Sequence, residues 1–280
     1  MTRPKIFGLL GYPVSHSLSP LMQNAAFKAR RIKAVYKLFE VKPKDLKDFF
    51  NNLKKKNICG LNVTIPYKET VIPFLKVTTP AVKTIGAVNT VTIDRDGNLT
   101  GHNTDYIGFT RHLYTELKLR PQKVAIIGSG GASKAVVFAL CKKKVKEISI
   151  YDIDRYKALG LANHFRQIFH DCNIKAVGSI PELDIKNADL LINATGVGMK
   201  NDDPCLVDAQ MLGPKTFVYD LIYNPGKTKL LSLAENAGCR FSNGLGMLIH
   251  QGAEAFNLWM KPKKAPVEVM LRALLEGHKV

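Results

Sequence analysis

Lys68 is one of 41 lysines and arginines in a chain of 280 residues, so its type alone says nothing. Its setting says more. It closes the stretch Asn62-Val63-Thr64-Ile65-Pro66-Tyr67-Lys68, in which Asn62 and Thr64 share one side of a strand end and Pro66 stops the strand. The pattern predicts that Lys68 falls in the first turn of a helix, where the macrodipole opposes a cation and eases the loss of its proton. A carboxylate to pair with it stands in Gly101-His102-Asn103-Thr104-Asp105-Tyr106-Ile107-Gly108-Phe109. Asp105 could cap the helix that follows, and it could also orient Lys68 and hold its proton, the usual acid/base pairing; the two roles are compatible.

Further polar groups surround this pair in the first third of the chain. In Ser15-His16-Ser17-Leu18-Ser19-Pro20, Ser19 and Pro20 read as the N-cap and first residue of a helix, whereas Ser17 has no such structural reason to be there. Two hydroxyls beside a helix N-terminus would hold a small carboxylate. Asn89, in Gly86-Ala87-Val88-Asn89-Thr90, adds an amide at the start of a strand.

A second constellation lies further on. Gly128, Ser129, Gly130, Gly131 and Ala132 separate a strand-like run from a helix-like one. Glycine at 128 allows a tight turn, glycine at 130 lets the backbone approach a pyrophosphate, and the helix N-terminus offers free N–H groups. Ser133, where the usual third glycine would stand, is small enough for close helix packing. Asp152 ends the next strand, where an acid would accept hydrogen bonds from an adenosine ribose; Asp152 or Asp154 could instead cap the following helix. A carboxylate there repels a 2′-phosphate, which favours NAD over NADP.

The elements that must position these groups alternate. Strand-like runs at 5–11, 34–41 and 59–65 are interleaved with helical patterns at 20–30 and 43–56. After a helix at about 106–118 come strands at 123–128, 147–152, 188–195 and 216–222, with helices at 132–143, 154–169 and 227–238. Such alternation predicts an α/β protein of two units with mainly parallel sheets. The net charge of +18 is carried by short basic clusters that flank helices, without the aromatic interleaving of a nucleic-acid surface. Those clusters read as solvated faces, and no nucleic acid is expected. The five scattered cysteines fit reduced thiols, and the chain lacks a membrane-spanning run or a signal-peptide pattern, so it is expected in the cytoplasm with no membrane partner. Nothing suggests a metal. His16, His102 and His250 sit beside motifs as packing or hydrogen-bonding residues.

In order along the chain, HSLSP, NVTIPYK, GAVNT, NTDYIG, GSGGASKA, NATGVGM, YNP and GLGMLIHQGAEAF resemble the shikimate dehydrogenase family, which includes the quinate/shikimate dehydrogenases. The resemblance implies reversible NAD(P)-dependent reduction of 3-dehydroshikimate to shikimate, with Lys68 and Asp105 at the reacting hydroxyl. It implies substrate contacts from Ser17, Ser19, Asn62, Thr64, Asn89, Tyr223 and Gln251. For the dinucleotide it implies residues 128–132, Thr195 beside Asn193 and Ala194, Met199, and the backbone near Gly244. It also implies a discontinuous substrate-binding domain (1–106 plus 245–280) around a Rossmann domain (107–244) with a parallel sheet. One departure is visible. Where NADP-using members commonly carry Asn-Arg-Thr, this chain reads Asp152-Ile153-Asp154, with Arg155 next, so NAD is favoured and NADP stays open. The alternative function is an NAD-dependent quinate/shikimate dehydrogenase of quinate catabolism; the Ser17–Ser19 pair is the shikimate type. A regulatory binding module that had lost activity would have no need of Lys68 and Asp105. The expected partner is the small-molecule substrate, for a monomer or homodimer.

Overall fold

The computed structural model describes residues 3–277; residues 1, 2 and 278–280, the ends of the expected first domain, lie outside the described residues. The chain divides into two compact units, Met1–Gly108 with Ile249–Val280, and Phe109–Leu248.

The first unit opens with β1 (Lys5–Gly11), α1 (Ser19–Ala29), β2 (Ala34–Glu40), α2 (Leu46–Asn51) and β3 (Ile58–Val63). It continues through β4 (Val77–Thr78), α3 (Pro80–Ile85), β5 (Thr90–Ile93) and β6 (Leu99–His102) into α4 (Asp105–Thr110). Its six strands lie in the order β2-β1-β3-β5-β6-β4. β1 pairs in parallel with β2 and β3, as alternation with helices predicts. β5 pairs antiparallel with β3 and β6, which that reading did not foresee. The β5–β6 turn is built by Asp94, whose carboxylate accepts the N–H groups of Asp96 and Asn98 while Gly97 takes a positive φ of 88°. The helix expected at 43–56 is shorter: a 3₁₀ turn at Pro43–Asp45 leads into α2, and the chain then runs through turns to Asn57 at φ +55°.

The second unit holds β7 (Lys123–Ile127), α5 (Gly131–Lys142), β8 (Glu147–Tyr151), α6 (Arg155–Arg166), β9 (Asn173–Ala176), β10 (Leu190–Asn193), β11 (Phe217–Asp220), α7 (Lys229–Asn236) and β12 (Phe241–Ser242). Every pairing in its sheet is parallel, in the order β12-β11-β10-β7-β8-β9. This is the doubly wound Rossmann order, with its reversal between β7 and β10. All residues of β10 and β11 are buried, as strands covered on both faces must be. Entry into the unit differs from expectation. α4 ends at Thr110 and continues as a π-helical turn, Arg111–Glu116, which buries His112, Leu113 and Tyr114.

The last two helices are α8 (Leu245–Met260) and α9 (Val267–Gly277). From Ile249 onward they belong to the first unit. Phe256 packs against Phe27 of α1 with the rings tilted by 32°, and the Trp259 indole donates to the Val91 carbonyl. Gly60 of β3 is glycine because a Cβ there would lie 2.5 Å from that indole nitrogen. No described helix is long and apolar enough to cross a membrane.

Candidate functional site

In the first unit, Lys68 Nζ donates to Asp105 Oδ2 at 2.6 Å, with the two side chains only 14% and 8% exposed. Asp105 Oδ1 accepts from Asn89 Nδ2 at 2.7 Å. The same amide donates to Thr104 Oγ1 at 2.9 Å and reaches Gln251 Oε1, on α8, at 3.3 Å. Lys68, Asp105, Asn89 and Gln251 are thus gathered into one buried network. Asn62 joins it from β3, donating to the Asn89 carbonyl and to Thr90 Oγ1 while its own oxygen accepts from the Tyr36 hydroxyl. Both N–H bonds of Asn62 are therefore committed within the chain, and its oxygen keeps one free lone pair. Thr64 follows β3, its N–H bonded to the Leu10 carbonyl, and is partly exposed.

Three local expectations are corrected. Lys68 does not sit in an α-helix: residues 68–71 form turns, followed by a single 3₁₀ turn at Ile72–Phe74. Pro73 lacks an N–H and disfavours the α conformation in Ile72, so no macrodipole forms beside the lysine. What holds Lys68 is instead its carboxylate partner, plus its backbone carbonyl, which accepts the Val88 N–H at 2.7 Å. Ser19 is not the cap of α1; it is the first residue of that helix, and Ser17 Oγ accepts its N–H at 3.2 Å. Nor is Asp105 bonded to the start of α4. Asn103 Oδ1 takes the N–H groups of Asp105 and Tyr106, which leaves both Asp105 oxygens for Lys68 and Asn89.

In the second unit the glycine turn leaves the carboxyl end of β7. Gly128 adopts φ +105°, and a Cβ there would lie 2.8 Å from Thr195 and 2.9 Å from the Ala194 backbone, so the chain itself demands glycine. At Gly130 a Cβ would meet nothing within 4 Å. That open space, before an α5 whose N-cap supplies no side-chain bond, fits a dinucleotide pyrophosphate held by Gly130, Gly131 and Ala132. Ser129 donates from both N and Oγ to Asp152 Oδ2, at 2.7 and 2.6 Å. Asp154 is the cap of α6, accepting from Tyr156 and Lys157. Asp152 Oδ1 accepts the Asp154 N–H at 2.9 Å, so both of its oxygens are held as acceptors beside the turn. Ile153 is 95% exposed and offers no donor.

Thr195 is anchored by Asn193, whose Oδ1 accepts the Thr195 N–H and hydroxyl at 3.0 and 2.7 Å. Met199 is exposed and Tyr223 half-buried, in the loops after β10 and β11. Gly244 packs against β11's exit so closely that a Cβ would sit 2.0 Å from the Leu221 carbonyl oxygen.

Sequence reasoning missed Thr90, Thr104 and Tyr36. The Thr104 N–H donates to Asn89 Oδ1 at 2.6 Å and so sets the amide's orientation. The adjacency of Thr104 to Asp105 was the available signal; Tyr36 lies on another strand and gave none.

Family models match stretches of both units. Residues 9–91 match a family model described as the shikimate dehydrogenase substrate binding domain, residues 112–201 one described as shikimate/quinate 5-dehydrogenase, and residues 244–275 one described as the shikimate 5′-dehydrogenase C-terminal domain. The shikimate dehydrogenase (NADP(+)) of Caldanaerobacter subterraneus subsp. tengcongensis is 42% identical over 264 residues, 91% of each chain. Among solved structures, shikimate 5-dehydrogenase from Listeria monocytogenes in complex with shikimate and NAD superposes with a TM-score of 0.87 at 37% identity, over 98% of this chain and 97% of that one. Quinate dehydrogenase from Corynebacterium glutamicum in complex with NAD does so with a TM-score of 0.88 at 32% identity, over 98% and 99%. Relatedness at this identity, sustained over 91% of the chain, makes it a member of the shikimate dehydrogenase family.

Proposed function

We propose that this chain catalyses the reversible NAD(P)-dependent reduction of 3-dehydroshikimate to shikimate, a step of aromatic amino-acid biosynthesis. The observation that carries the reading is the buried Lys68–Asp105–Asn89 network in a family of dehydrogenases. A bound nicotinamide supplies the hydride. Lys68 then gives a proton to the oxygen that gains negative charge, and Asp105 holds the ammonium aimed at that oxygen. Asn89, for which the resemblance implies a substrate contact, has its amide N–H groups committed to Thr104, Asp105 and Gln251, so in this reading it serves the substrate indirectly, by keeping Asp105 from rotating. Ser17 and Ser19 bind the substrate carboxylate. Thr64, Gln251, Tyr223 and the remaining lone pair of Asn62 serve its hydroxyls. The first unit is the substrate domain and the second the dinucleotide domain, with Thr195, Met199 and the Gly244 backbone at the nicotinamide.

NAD is placed before NADP. Asp152 is tied down as an acceptor where the adenosine ribose is bound in Rossmann domains, Asp154 adds a second acid, and Ile153 gives a 2′-phosphate nothing to bond. Arg155 is the residue that could reverse this. The NADP(+) in the names of relatives argues the other way, and the NAD in the Listeria and Corynebacterium structures argues for it. A second reading, NAD-dependent oxidation of quinate, draws on the likeness to the Corynebacterium enzyme.

Initial rates of shikimate oxidation, with NAD and NADP in parallel, test both levels. Turnover with either supports the activity, and turnover with neither removes it. Faster rates with NAD support the Asp152 reading, and faster rates with NADP overturn it. Quinate in place of shikimate then separates the two substrates by kcat/KM.

A further inference from the structure

β10 and β11 end on polar residues that are partners across the parallel ladder, Asn193 and Asp220. Both side chains are fully buried. An ionised carboxylate at such a position costs several kcal/mol unless it is well hydrogen-bonded. Among the described residues no cation pairs with Asp220. Burial pushes its carboxyl above the ordinary aspartate range, against the pull of its hydrogen bonds.

Those bonds run to two different loops. Asp220 Oδ1 accepts from Asn193 Nδ2 and from the Ile222 N–H, each at 3.0 Å, and Oδ2 accepts from Thr228 Oγ1 at 2.7 Å. Asn193 passes the hold onward: its amide also donates to the Val197 carbonyl at 3.1 Å, and its oxygen takes the Thr195 N–H and hydroxyl. Thr195 Oγ1 in turn accepts the Val197 N–H. Thr228 is the cap of α7, its hydroxyl oxygen receiving the Leu231 N–H at 3.3 Å. One carboxylate therefore braces the loop after β10, which carries Thr195 and Met199, and both ends of the loop after β11, which carries Tyr223. Three donors converge on two oxygens. An amide in the same place could keep the Asn193 and Ile222 bonds with its one oxygen, but its NH2 would then face Thr228, whose hydroxyl would have to accept instead of donate and would lose its own acceptor, so the arrangement favours a carboxylate.

We infer that Asp220 is a positioning residue that fixes both loops and acts on dinucleotide and substrate binding through Asn193 and Thr228. The inference rests on the reading given above for Thr195, Met199 and Tyr223. It adds a residue that touches neither ligand.

The test uses the full chain with Asp220→Asn, Thr228→Val and the conservative Thr228→Ser. Dinucleotide dissociation constants are measured by fluorescence, kcat and KM for shikimate well below the melting temperature, and folding by circular dichroism. Asp220→Asn is expected to weaken dinucleotide binding and raise the shikimate KM by roughly ten- to a hundredfold, in line with the cost of small misplacements. Thr228→Val should do the same to a lesser degree, and Thr228→Ser should restore the native constants. A folded Asp220→Asn or Thr228→Val chain with native binding constants and only a lower Tm overturns the inference, because a purely structural carboxylate would behave that way. If Asp220→Asn does not fold, the Thr228 pair decides alone. If the unaltered chain turns nothing over, the proposed activity fails, while the dinucleotide dissociation constants still decide for Asp220.

Discussion

In the proposed reaction Lys68 gives up a proton, and the contact that fixes its direction is the one to Asp105. Replacing Lys68 by Ala should lower kcat by about 10²–10⁴ while leaving the dinucleotide dissociation constant within about twofold; unchanged turnover would show that the proton comes from elsewhere. Residue-scale geometry also separates two glycines that a motif treats alike. At Gly128 the constraint is internal, a left-handed backbone and contacts under 3 Å to Thr195 and Ala194, so Gly128→Ala should lower Tm by several degrees. At Gly130 nothing crowds a Cβ, so Gly130→Ala should melt with the native chain yet bind dinucleotide more weakly, by tenfold or more. Native affinity in Gly130→Ala would mean that the pyrophosphate does not lie there.

Elements decide which side chains are free to act. The strand–turn–helix of β7 and α5 was legible because buried strands, glycine turns and helix periods leave local marks, and the residues of the turn fell where expected. Local marks misled where a competing partner lay outside the window. Helix propensity around Lys68 gave way to Pro73, two residues beyond the turn. Asp105 was open to capping as well as to pairing with Lys68, but Asn103 takes the N–H groups. Asp220 left no mark at all, since its role depends on a ladder partner 27 residues away in sequence. The capping exchange is testable. Asn103→Ala removes the acceptor for two N–H groups and should cost about 1 kcal/mol of stability by urea denaturation. It also lets the Asp105 carboxylate turn back to the open helix start, so kcat should fall severalfold with the shikimate KM little changed. A loss of stability with native kcat would show that Asn89 alone suffices to hold Asp105.

The whole molecule contributes a field. A net charge of +18 on 280 residues, spread over basic clusters that flank helices, attracts any small anion before a specific contact forms. The proposed substrate carries a carboxylate and the proposed cofactor a pyrophosphate, so both should be steered. Screening shortens that reach from about 10 Å at 0.1 M salt to about 3 Å at 1 M. The local chemistry is shielded from salt differently, because the Lys68–Asp105 pair is largely buried and its geometry is set by hydrogen bonds. Raising sodium chloride should therefore increase the KM for dinucleotide and shikimate severalfold, the more highly charged ligand most, while kcat stays nearly constant. If both KM values are flat in salt, the charge serves solubility alone. If kcat falls with them, the buried pair is more open to solvent than its 14% and 8% exposures imply. The same titration on immobilised DNA distinguishes steering from a nucleic-acid surface: a steering field alone gives no retention at physiological salt, whereas a binding face would give retention whose logarithm falls linearly with the logarithm of salt concentration.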